Sequence, residues 1–245
     1  METIIKTNNL TKKYKDVVAV NNLNLEIYQG ELFSLLGVNG AGKTTTIKML
    51  STLSKPTSGD ATIYGYSINS NADKIKELID ISMQETAVAR KLTVEENIEF
   101  YAELSGQSQK ELKETKKYIY ESFGLEKVKN KQASKLSGGW QRKLSIALAL
   151  VSNPKILFLD EPTLGLDVLA RRELWNTIRE LKKDMTIILT THYMEEAEAL
   201  SDRIGVMKDG GLLFIGTKEE MFHKTGKNSV EDAFIEIVSR GNQNA

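Results

Sequence analysis

Gly37-Val38-Asn39-Gly40-Ala41-Gly42-Lys43-Thr44 is the stretch of this sequence that decides its fold. It matches the pattern G-x-x-x-x-G-K-[ST], in which the glycines let several backbone amides turn toward one anion. An apolar run at Leu32–Leu36 predicts the strand that precedes such a loop, and a helix predicted to begin near Gly42 would add its free N-terminal amides. A glycine-rich turn without a ligand would leave this strand, loop and helix order unexplained. We therefore predict a site for the phosphates of a nucleoside triphosphate.

The residue types in this loop have separate tasks. Lys43 can reach the β- and γ-phosphates as a point charge, and the Thr44 hydroxyl is suited to hold Mg²⁺. Kinases, GTPases and many motors share such a loop, so the loop alone does not select among them. The other predicted nucleotide-binding residues are Gly37, Val38, Asn39, Gly40, Ala41, Gly42 and Thr45.

A second apolar strand, Ile156–Leu159, ends in the adjacent carboxylates Asp160 and Glu161. Ligand sites of parallel sheets gather at the carboxyl ends of the strands, which is where these acids would lie. Catalysis of phosphoryl transfer is mostly positioning and charge stabilisation, so Asp160 suits the Mg²⁺ shell, through water, and Glu161 suits the attacking water. The alternative is that both acids are solvated side chains without a functional role. A phosphate-binding loop in the same chain makes this alternative less favoured.

Strand-like and helix-like segments alternate along the chain, which predicts an α/β domain. The predicted fold class is α/β, a P-loop nucleoside triphosphatase core with a mainly parallel sheet, an N-terminal antiparallel β subdomain and an inserted α-helical subdomain. Residues 1–245 would form a single domain. Within it we place 1–86 and 153–220 in the α/β core, 87–152 in the helical subdomain and 221–245 in a short C-terminal helical extension.

Local patterns locate individual elements. Stretches rich in β-branched residues predict strands at about 2–8 and 17–28, with a turn between them. Asp209-Gly210-Gly211 predicts the turn of a hairpin. Capping-box spacing predicts three helix starts, at Thr93 with Glu96, Ser108 with Glu111, and Thr217 with Glu220.

Composition argues against several classes of function. The 245 residues include 33 Lys and Arg against 33 Asp and Glu, and this zero net charge disfavours a protein held mainly by nucleic-acid phosphates. The absence of cysteine excludes disulfides and thiolate sites, and only His192 and His223 could supply imidazole ligands. No apolar stretch approaches the roughly 18 residues of a membrane span, and the first residues lack an apolar signal core. We expect a cytoplasmic chain that another protein holds at any membrane.

Leu136-Ser137-Gly138-Gly139-Trp140-Gln141 resembles the signature of the ATP-binding cassette (ABC) ATPases, whose usual form is L-S-G-G-Q. A serine hydroxyl and closely approaching glycine amides at a helix start make a second anion site in the same chain. Other features follow in the order of that family. These are Tyr14 for the aromatic that stacks on adenine, Gln84 for the glutamine near Mg²⁺ and the attacking water, Asp167 for the D-loop aspartate and His192 for the switch histidine.

The resemblance implies that ATP and Mg²⁺ are bound between two cassettes, the loop of one facing the signature of the other in a head-to-tail dimer. The partners would be a second ABC ATPase subunit, identical or a paralogue, and integral membrane permease subunits at the cytoplasmic face of the membrane. No nucleic acid is expected. The implied site residues are Glu161, His192, Lys43 and Gln84 for catalysis, Thr44, Gln84 and Asp160 for the metal, and Ser137, Gly138, Gly139 and Asp167 for ATP of the opposite subunit.

The function implied is that of an ATP-hydrolysing subunit that powers an ABC transporter. The segments 190–202 and 229–234 resemble bacterial exporters of the drug- and antibiotic-resistance type, which favours export of a drug, antibiotic or other small amphiphile. The alternative is a soluble ABC ATPase acting on ribosomes or nucleic acid, and a further one is a nucleotide-binding scaffold without turnover. Glu161, His192 and Lys43 argue against the scaffold.

Two features leave alternatives open. Trp140 replaces the usual signature glutamine, and its helical register with Leu144 and Ala147 favours packing in the core over a changed signature. A lysine-rich stretch between residues 113 and 135 is typical of a solvated face, with anionic lipid headgroups as the alternative partner.

Overall fold

The structure is a computed structural model that describes residues 2–241. The strands are β1 (Thr3–Tyr14), β2 (Val17–Leu23), β3 (Glu26–Tyr28), β4 (Leu32–Leu36), β5 (Ser58–Ile63), β6 (Tyr66–Ser67), β7 (Ile79–Ser82), β8 (Ile156–Asp160), β9 (Thr186–Thr191), β10 (Arg203–Lys208) and β11 (Gly211–Gly216). The helices are α1 (Lys43–Leu50), α2 (Ala72–Lys76), α3 (Val94–Leu104), α4 (Gln109–Phe123), α5 (Gly138–Ala149), α6 (Val168–Leu181), α7 (Met194–Leu200), α8 (Lys218–Thr225) and α9 (Val230–Gly241).

The larger sheet has the strand order β11-β10-β4-β9-β8-β7, and all its pairs are parallel except the β10–β11 hairpin. The strands β4, β8 and β9 are buried along their whole length, which explains why each contains a run of apolar residues. Their register pairs Leu36 with Thr191 and Asp160 with Thr190. The carboxyl ends of these three strands therefore meet at one edge of the sheet.

Successive strand residues point to opposite faces and so supply two cores. Phe158 and Ile188 pack with α1 and the N-terminal strands, whereas Leu157 and Leu159 pack with the helices between β7 and β8. The smaller sheet has the order β2-β1-β5-β6, with β3 also paired to β1, and its pairs are antiparallel. The predicted α/β fold class, with its mainly parallel and antiparallel sheets, is confirmed.

The helical region contains no strand between residues 94 and 149, as predicted. Both of its predicted capping boxes form, because the side chains of Thr93 and Ser108 accept the amides of Glu96 and Glu111 while those glutamates accept in return. Trp140 on α5 packs against the core as a partly buried residue, with the Lys143 ammonium 4.9 Å from its ring centroid. The core-packing interpretation of Trp140 therefore agrees with its surroundings.

The N-terminal strands differ from the predicted ones. β1 runs to Tyr14 rather than ending near residue 8, because register shifts let it keep pairing with β2 past Leu10. The predicted strand 17–28 is divided at Asn24, whose side chain accepts the Asn9 amide at 2.9 Å and donates to the Asn22 carbonyl at 3.0 Å. An asparagine that bonds the backbone in this way competes with the strand ladder. Within residues 2–241, no helix has the length and apolar character needed to span a membrane.

Candidate nucleotide site

The loop between β4 and α1 is shaped by two glycines that approach other backbone segments. A Cβ atom at Gly37 would lie 2.4 Å from the Met207 carbonyl oxygen, and one at Gly42 would lie 2.4 Å from that of Ala19. Gly42 also has a φ of 102°, a conformation that L side chains rarely adopt. Any side chain at these two positions would therefore displace the loop from the edge of the sheet.

Lys43, the first residue of α1, is folded back over this loop. Its Nζ donates to the carbonyl oxygens of Gly37 at 2.7 Å and Val38 at 3.1 Å. The side chain is only 5% exposed, and burial lowers the pKa of Lys43 while the nearby Glu161 opposes that shift. The ammonium is therefore fixed at the loop by backbone acceptors.

Asp160, at the carboxyl end of β8, is fully buried. Its Oδ1 accepts the hydroxyls of Thr44 at 3.0 Å and Thr190 at 2.5 Å. Its Oδ2 is also buried but has no hydrogen-bond partner. An unpartnered carboxylate oxygen beside a threonine hydroxyl suits a hard cation such as Mg²⁺, which prefers oxygen ligands. Sequence reasoning missed Thr190, which only the pairing of β8 with β9 brings to Asp160.

Glu161 lies between two of the three other predicted catalytic side chains, those of Lys43 and His192. Its Oε1 is 3.5 Å from the Nζ of Lys43, and its Oε2 is 3.1 Å from the Nδ1 of His192. Its φ is 46°, unusual for a residue other than glycine, and its amide donates to both the carbonyl and the hydroxyl of Thr190 at 3.1 Å. The backbone turn therefore directs the carboxylate at the lysine and the histidine.

These residues line a cavity of about 500 Å³ at the edge of the sheet. Tyr14 forms part of its wall with 46% of its surface exposed, and the Nζ of Lys12 lies 5.0 Å from its ring centroid. Two apolar wall residues, Ala19 and Leu164, were not predicted. The predicted residues that line the cavity are Tyr14, Asn39, Gly40, Ala41, Gly42, Lys43, Thr44, Thr45, Gln84, Glu161 and His192.

The remaining predicted residues lie outside that lining. Gly37 and Val38 contribute the carbonyls that hold Lys43, and Asp160 is buried behind Thr44. No group of three or more His, Cys, Asp or Glu side chains suited to a metal occurs within residues 2–241. A Mg²⁺ site here would thus combine Asp160 with the Thr44 hydroxyl and other oxygen ligands.

The predicted contacts to a second ATP lie together on another surface. Ser137 precedes α5, is exposed, and makes no cap hydrogen bond with its side chain. Asp167 caps α6, accepting the amides of Leu169 and Ala170 at 2.9 Å. A Cβ atom at Gly139 would lie 3.1 Å from that of Ala170, so the two helix starts adjoin. Ser137, Gly138, Gly139 and Asp167 are thus close to one another but do not line the cavity.

A buried carboxylate that the sequence did not predict lies behind the site. Glu196 on α7 accepts the Thr163 hydroxyl at 2.8 Å and the indole N–H of Trp175 at 2.9 Å. Burial raises the pKa of Glu196, and hydrogen bonds from Thr191, Thr163 and Trp175 offset part of this effect, with a smaller contribution from the charge of Arg171. The guanidinium of Arg171 lies 4.4 Å from the ring centroid of Tyr193, the residue after His192. Glu196 thereby connects the segment after Glu161 with α6 and α7.

Comparison of the sequence with known proteins identifies one family. The ABC transporter family model matches residues 20–164. The human phospholipid-transporting ATPase ABCA3 is 43% identical over 226 residues, which are 91% of this chain and 13% of that protein. The probable multidrug ABC transporter ATP-binding protein YbhF of Escherichia coli K12 is 37% identical over 243 residues, 97% of this chain and 42% of that protein.

A solved structure shows the same fold. The dimeric post-hydrolysis state of the ATP-binding cassette MJ0796, bound to ADP and Pi, is 29% identical, with a TM-score of 0.78 over 87% of this chain and 98% of that one. This chain spans less than half the length of the two curated relatives. The predicted resemblance to the ABC ATPases is confirmed. The chain belongs to the ABC transporter family and has the fold of its ATP-binding cassettes.

Proposed function

We propose that the chain hydrolyses ATP at the cavity between β4, β8 and β9, with Glu161 as the group that deprotonates or orients the attacking water. The supporting observation is the position of Glu161, whose two carboxylate oxygens face the ammonium of Lys43 and the imidazole of His192. A carboxylate oriented from both sides has the fixed geometry that water activation requires. Phosphoryl transfer depends mainly on such positioning and on charge stabilisation.

The remaining cavity residues would bind the nucleotide. Tyr14 would stack on adenine, because its ring is exposed at the cavity wall. The amides of residues 37–45 would surround the phosphates at the start of α1, and Lys43 would offset their charge. His192 would contact the γ-phosphate, and Gln84 would reach the attacking water.

Thr44 and Asp160 would hold Mg²⁺, Asp160 through water, with Gln84 nearby. The unpartnered, buried Oδ2 of Asp160 beside the Thr44 hydroxyl supports this assignment. A bound Mg²⁺ would supply charge neutralisation for the phosphate oxygens. The protein's own contribution is to fix the orientation of Asp160 through Thr44 and Thr190.

The second cassette would be another copy of this chain or a paralogue. Ser137, Gly138, Gly139 and Asp167 lie together but away from the cavity, which is the arrangement expected if they contact ATP bound by the opposite subunit. The MJ0796 cassette, with the same fold, is dimeric with ADP and Pi. We infer a head-to-tail dimer with two nucleotide sites.

The work of this ATPase would be transport by permease subunits in the membrane, with the cassette at the cytoplasmic face. The family resemblance implies that a short helix of the permease would bind between the Gln84 loop and the helical subdomain, 87–152. One relative is named for phospholipid transport and another as a probable multidrug protein, which supports export of a drug, antibiotic or other amphiphile. Copurification with a polytopic membrane protein from solubilised membranes would support this role, and copurification with ribosomal proteins alone would contradict it.

Glu161→Gln tests the catalytic assignment directly. The amide keeps the size of the side chain but cannot accept a proton from water. We expect ATP binding to persist, an ATP-bound dimer to accumulate in size-exclusion chromatography, and phosphate release to fall by about 100-fold or more. Unchanged phosphate release from the purified variant would refute the role of Glu161.

A further inference from the structure

Arg142 is a buried cation that the proposed reaction does not use. It lies on α5, the helix that begins at the signature, and only 4% of its surface is exposed. Among the ion pairs of residues 2–241, none includes Arg142, although the fields of Asp160 and Glu196 favour its charge. Burial lowers the pKa of Arg142 to about 10, so the guanidinium stays charged near neutral pH.

The guanidinium instead donates to backbone carbonyls from two loops of the site. Its Nε donates to Pro162 at 2.7 Å and its Nη2 donates to Asp160 at 2.9 Å. Its Nη1 donates to Met83 at 2.5 Å and to Gln84 at 3.3 Å. One side chain therefore joins the end of β7 to the end of β8.

Two of these acceptors flank Glu161 directly. The carbonyls of Asp160 and Pro162 are held on either side of a residue whose φ is 46°. A non-glycine residue in this conformation persists only where its surroundings fix it, at a cost of about 1–2 kcal/mol. Arg142 is thus one of the groups that hold the backbone of Glu161 in the turn that directs its carboxylate.

Only arginine can make this set of contacts. A planar guanidinium presents five N–H donors in a fixed fork, whereas a lysine ammonium is a single point with three donors. A buried cation without an ion-pair partner is costly unless hydrogen-bond acceptors surround it. The four carbonyls give each of the three guanidinium nitrogens an acceptor, and they make the position of α5 dependent on the two loops.

We propose that Arg142 is a positioning residue that couples the signature at the start of α5 to Glu161 and Gln84 of the same chain. α5 is one continuous helix, so a displacement of Ser137, Gly138 and Gly139 by the opposite subunit's ATP moves Arg142 with it. Contact with one ATP thereby sets the alignment of the catalytic carboxylate at the other. This inference rests on the proposed function of Glu161 and of the signature.

The test compares Arg142→Gln and Arg142→Lys with Lys143→Gln as the matched control. Lys143 is the next residue on α5, and its ammonium pairs with Glu173 at 2.9 Å, outside the site. We expect Arg142→Gln to lower kcat by about 10- to 100-fold, the range expected from a displacement of about 1 Å at a reacting group. The KM for ATP should change by less than about threefold. Arg142→Lys should recover part of kcat, and Lys143→Gln should keep kcat and KM near wild type.

A second measurement separates positioning from a general loss of structure. In the Glu161→Gln background, Arg142→Gln and Arg142→Lys should still form the ATP-bound dimer in size-exclusion chromatography. Wild-type kcat in either Arg142 variant would overturn the proposal, and so would a joint loss of ATP binding and kcat in Arg142→Lys. If Arg142→Gln fails to fold, the comparison of kcat with KM in Arg142→Lys decides. Unchanged phosphate release from the Glu161→Gln single variant would refute the proposed function itself, whatever the Arg142 variants do.

Discussion

Thr190→Val should separate the stability of the site from its activity. The Thr190 hydroxyl donates to the Oδ1 of Asp160 at 2.5 Å and accepts the amide of Glu161 at 3.1 Å. Valine has nearly the same shape, so it fills the same space at the end of β9 and removes only the hydroxyl. The substitution therefore acts on two neighbouring site residues without opening a cavity.

The cost in stability follows from the bonds that remain. A hydrogen bond to a charged group contributes about 1.5–3 kcal/mol net. Asp160 keeps the Thr44 hydroxyl at 3.0 Å, and the Glu161 amide keeps the Thr190 carbonyl at 3.1 Å, so neither group is left without a partner. We therefore expect a loss near the lower limit, about 1.5–2 kcal/mol in the free energy of unfolding. Urea denaturation followed by tryptophan fluorescence measures it.

The activity should fall more than this stability loss explains. Without the Thr190 hydroxyl, Asp160 is oriented by Thr44 alone, and a less fixed carboxylate holds its metal shell less well. We expect kcat to fall by about 10-fold and the Mg²⁺ concentration for half-maximal ATPase activity to rise by about 10-fold. Phosphate release at saturating ATP, titrated with Mg²⁺, gives both quantities.

Thr186→Val on the same strand is the matched control. Its hydroxyl accepts the Gly30 amide at 2.9 Å, at the opposite end of β9 from the site. The loss of this neutral bond should cost about 1 kcal/mol, somewhat less than the loss expected at Thr190. Equal stability losses with equal ATPase activity in the two variants would refute the argument that the Thr190 hydroxyl positions Asp160.

Three further outcomes are expected. Gly42→Ala should abolish ATP binding measured by calorimetry, because its Cβ would lie 2.4 Å from the Ala19 carbonyl oxygen. Gly40→Ala is the control: a Cβ there meets no atom within 4 Å, and the positive φ should lower the free energy of unfolding by only about 1–2 kcal/mol. Glu196→Ala should destabilise the fold by about 1–3 kcal/mol in urea denaturation, since the Thr163 hydroxyl and the partly buried Trp175 N–H lose their acceptor. Because burial raises the pKa of Glu196, the folded state holds its proton more tightly than the unfolded chain, and this group's contribution to stability falls as pH rises from about 4.5 through the folded pKa. Glu196→Gln should remove this dependence of the unfolding free energy on pH. The variant should therefore gain stability relative to wild type as the pH rises. A difference that stays constant with pH would contradict the raised pKa.

The phosphate loop and the strand ends could be predicted because local sequence determines them. The glycine spacing, the apolar run before it and the helix after it lie within one short stretch, Leu32–Leu50. The burial of β4 and β8 follows from their continuous apolar residues, and the chain order of a parallel sheet places the two carboxyl ends on the same edge. Tyr14, Gln84 and His192 came from the resemblance to the family, since each alone is uninformative.

The contribution of Thr190 could not be predicted in the same way. Its contact with Asp160 joins residues 30 positions apart and depends on the register between β8 and β9, which a one-residue slip would reverse. The sequence did place a threonine at the end of a strand, but threonine is common in strands for reasons of backbone preference alone. A prediction would have required the strand order and the register together.

Arg142 shows why residues that position a site are harder to find than residues that touch the ligand. Phosphates, Mg²⁺ and water each require particular side chains, so the residues that bind them form patterns with fixed types and spacing. The acceptors of Arg142 are backbone carbonyls, which every residue possesses, so the identities of residues 83, 84, 160 and 162 record nothing of the contact. The one trace in the sequence is the arginine itself, which the structure places among the buried residues of α5 although its neighbours in sequence are Gln141 and Lys143. A buried charge of this kind is retained only when hydrogen-bond acceptors surround it. A cation on the buried face of a helix that begins at a ligand site therefore indicates that the helix is bonded to backbone carbonyls behind that site.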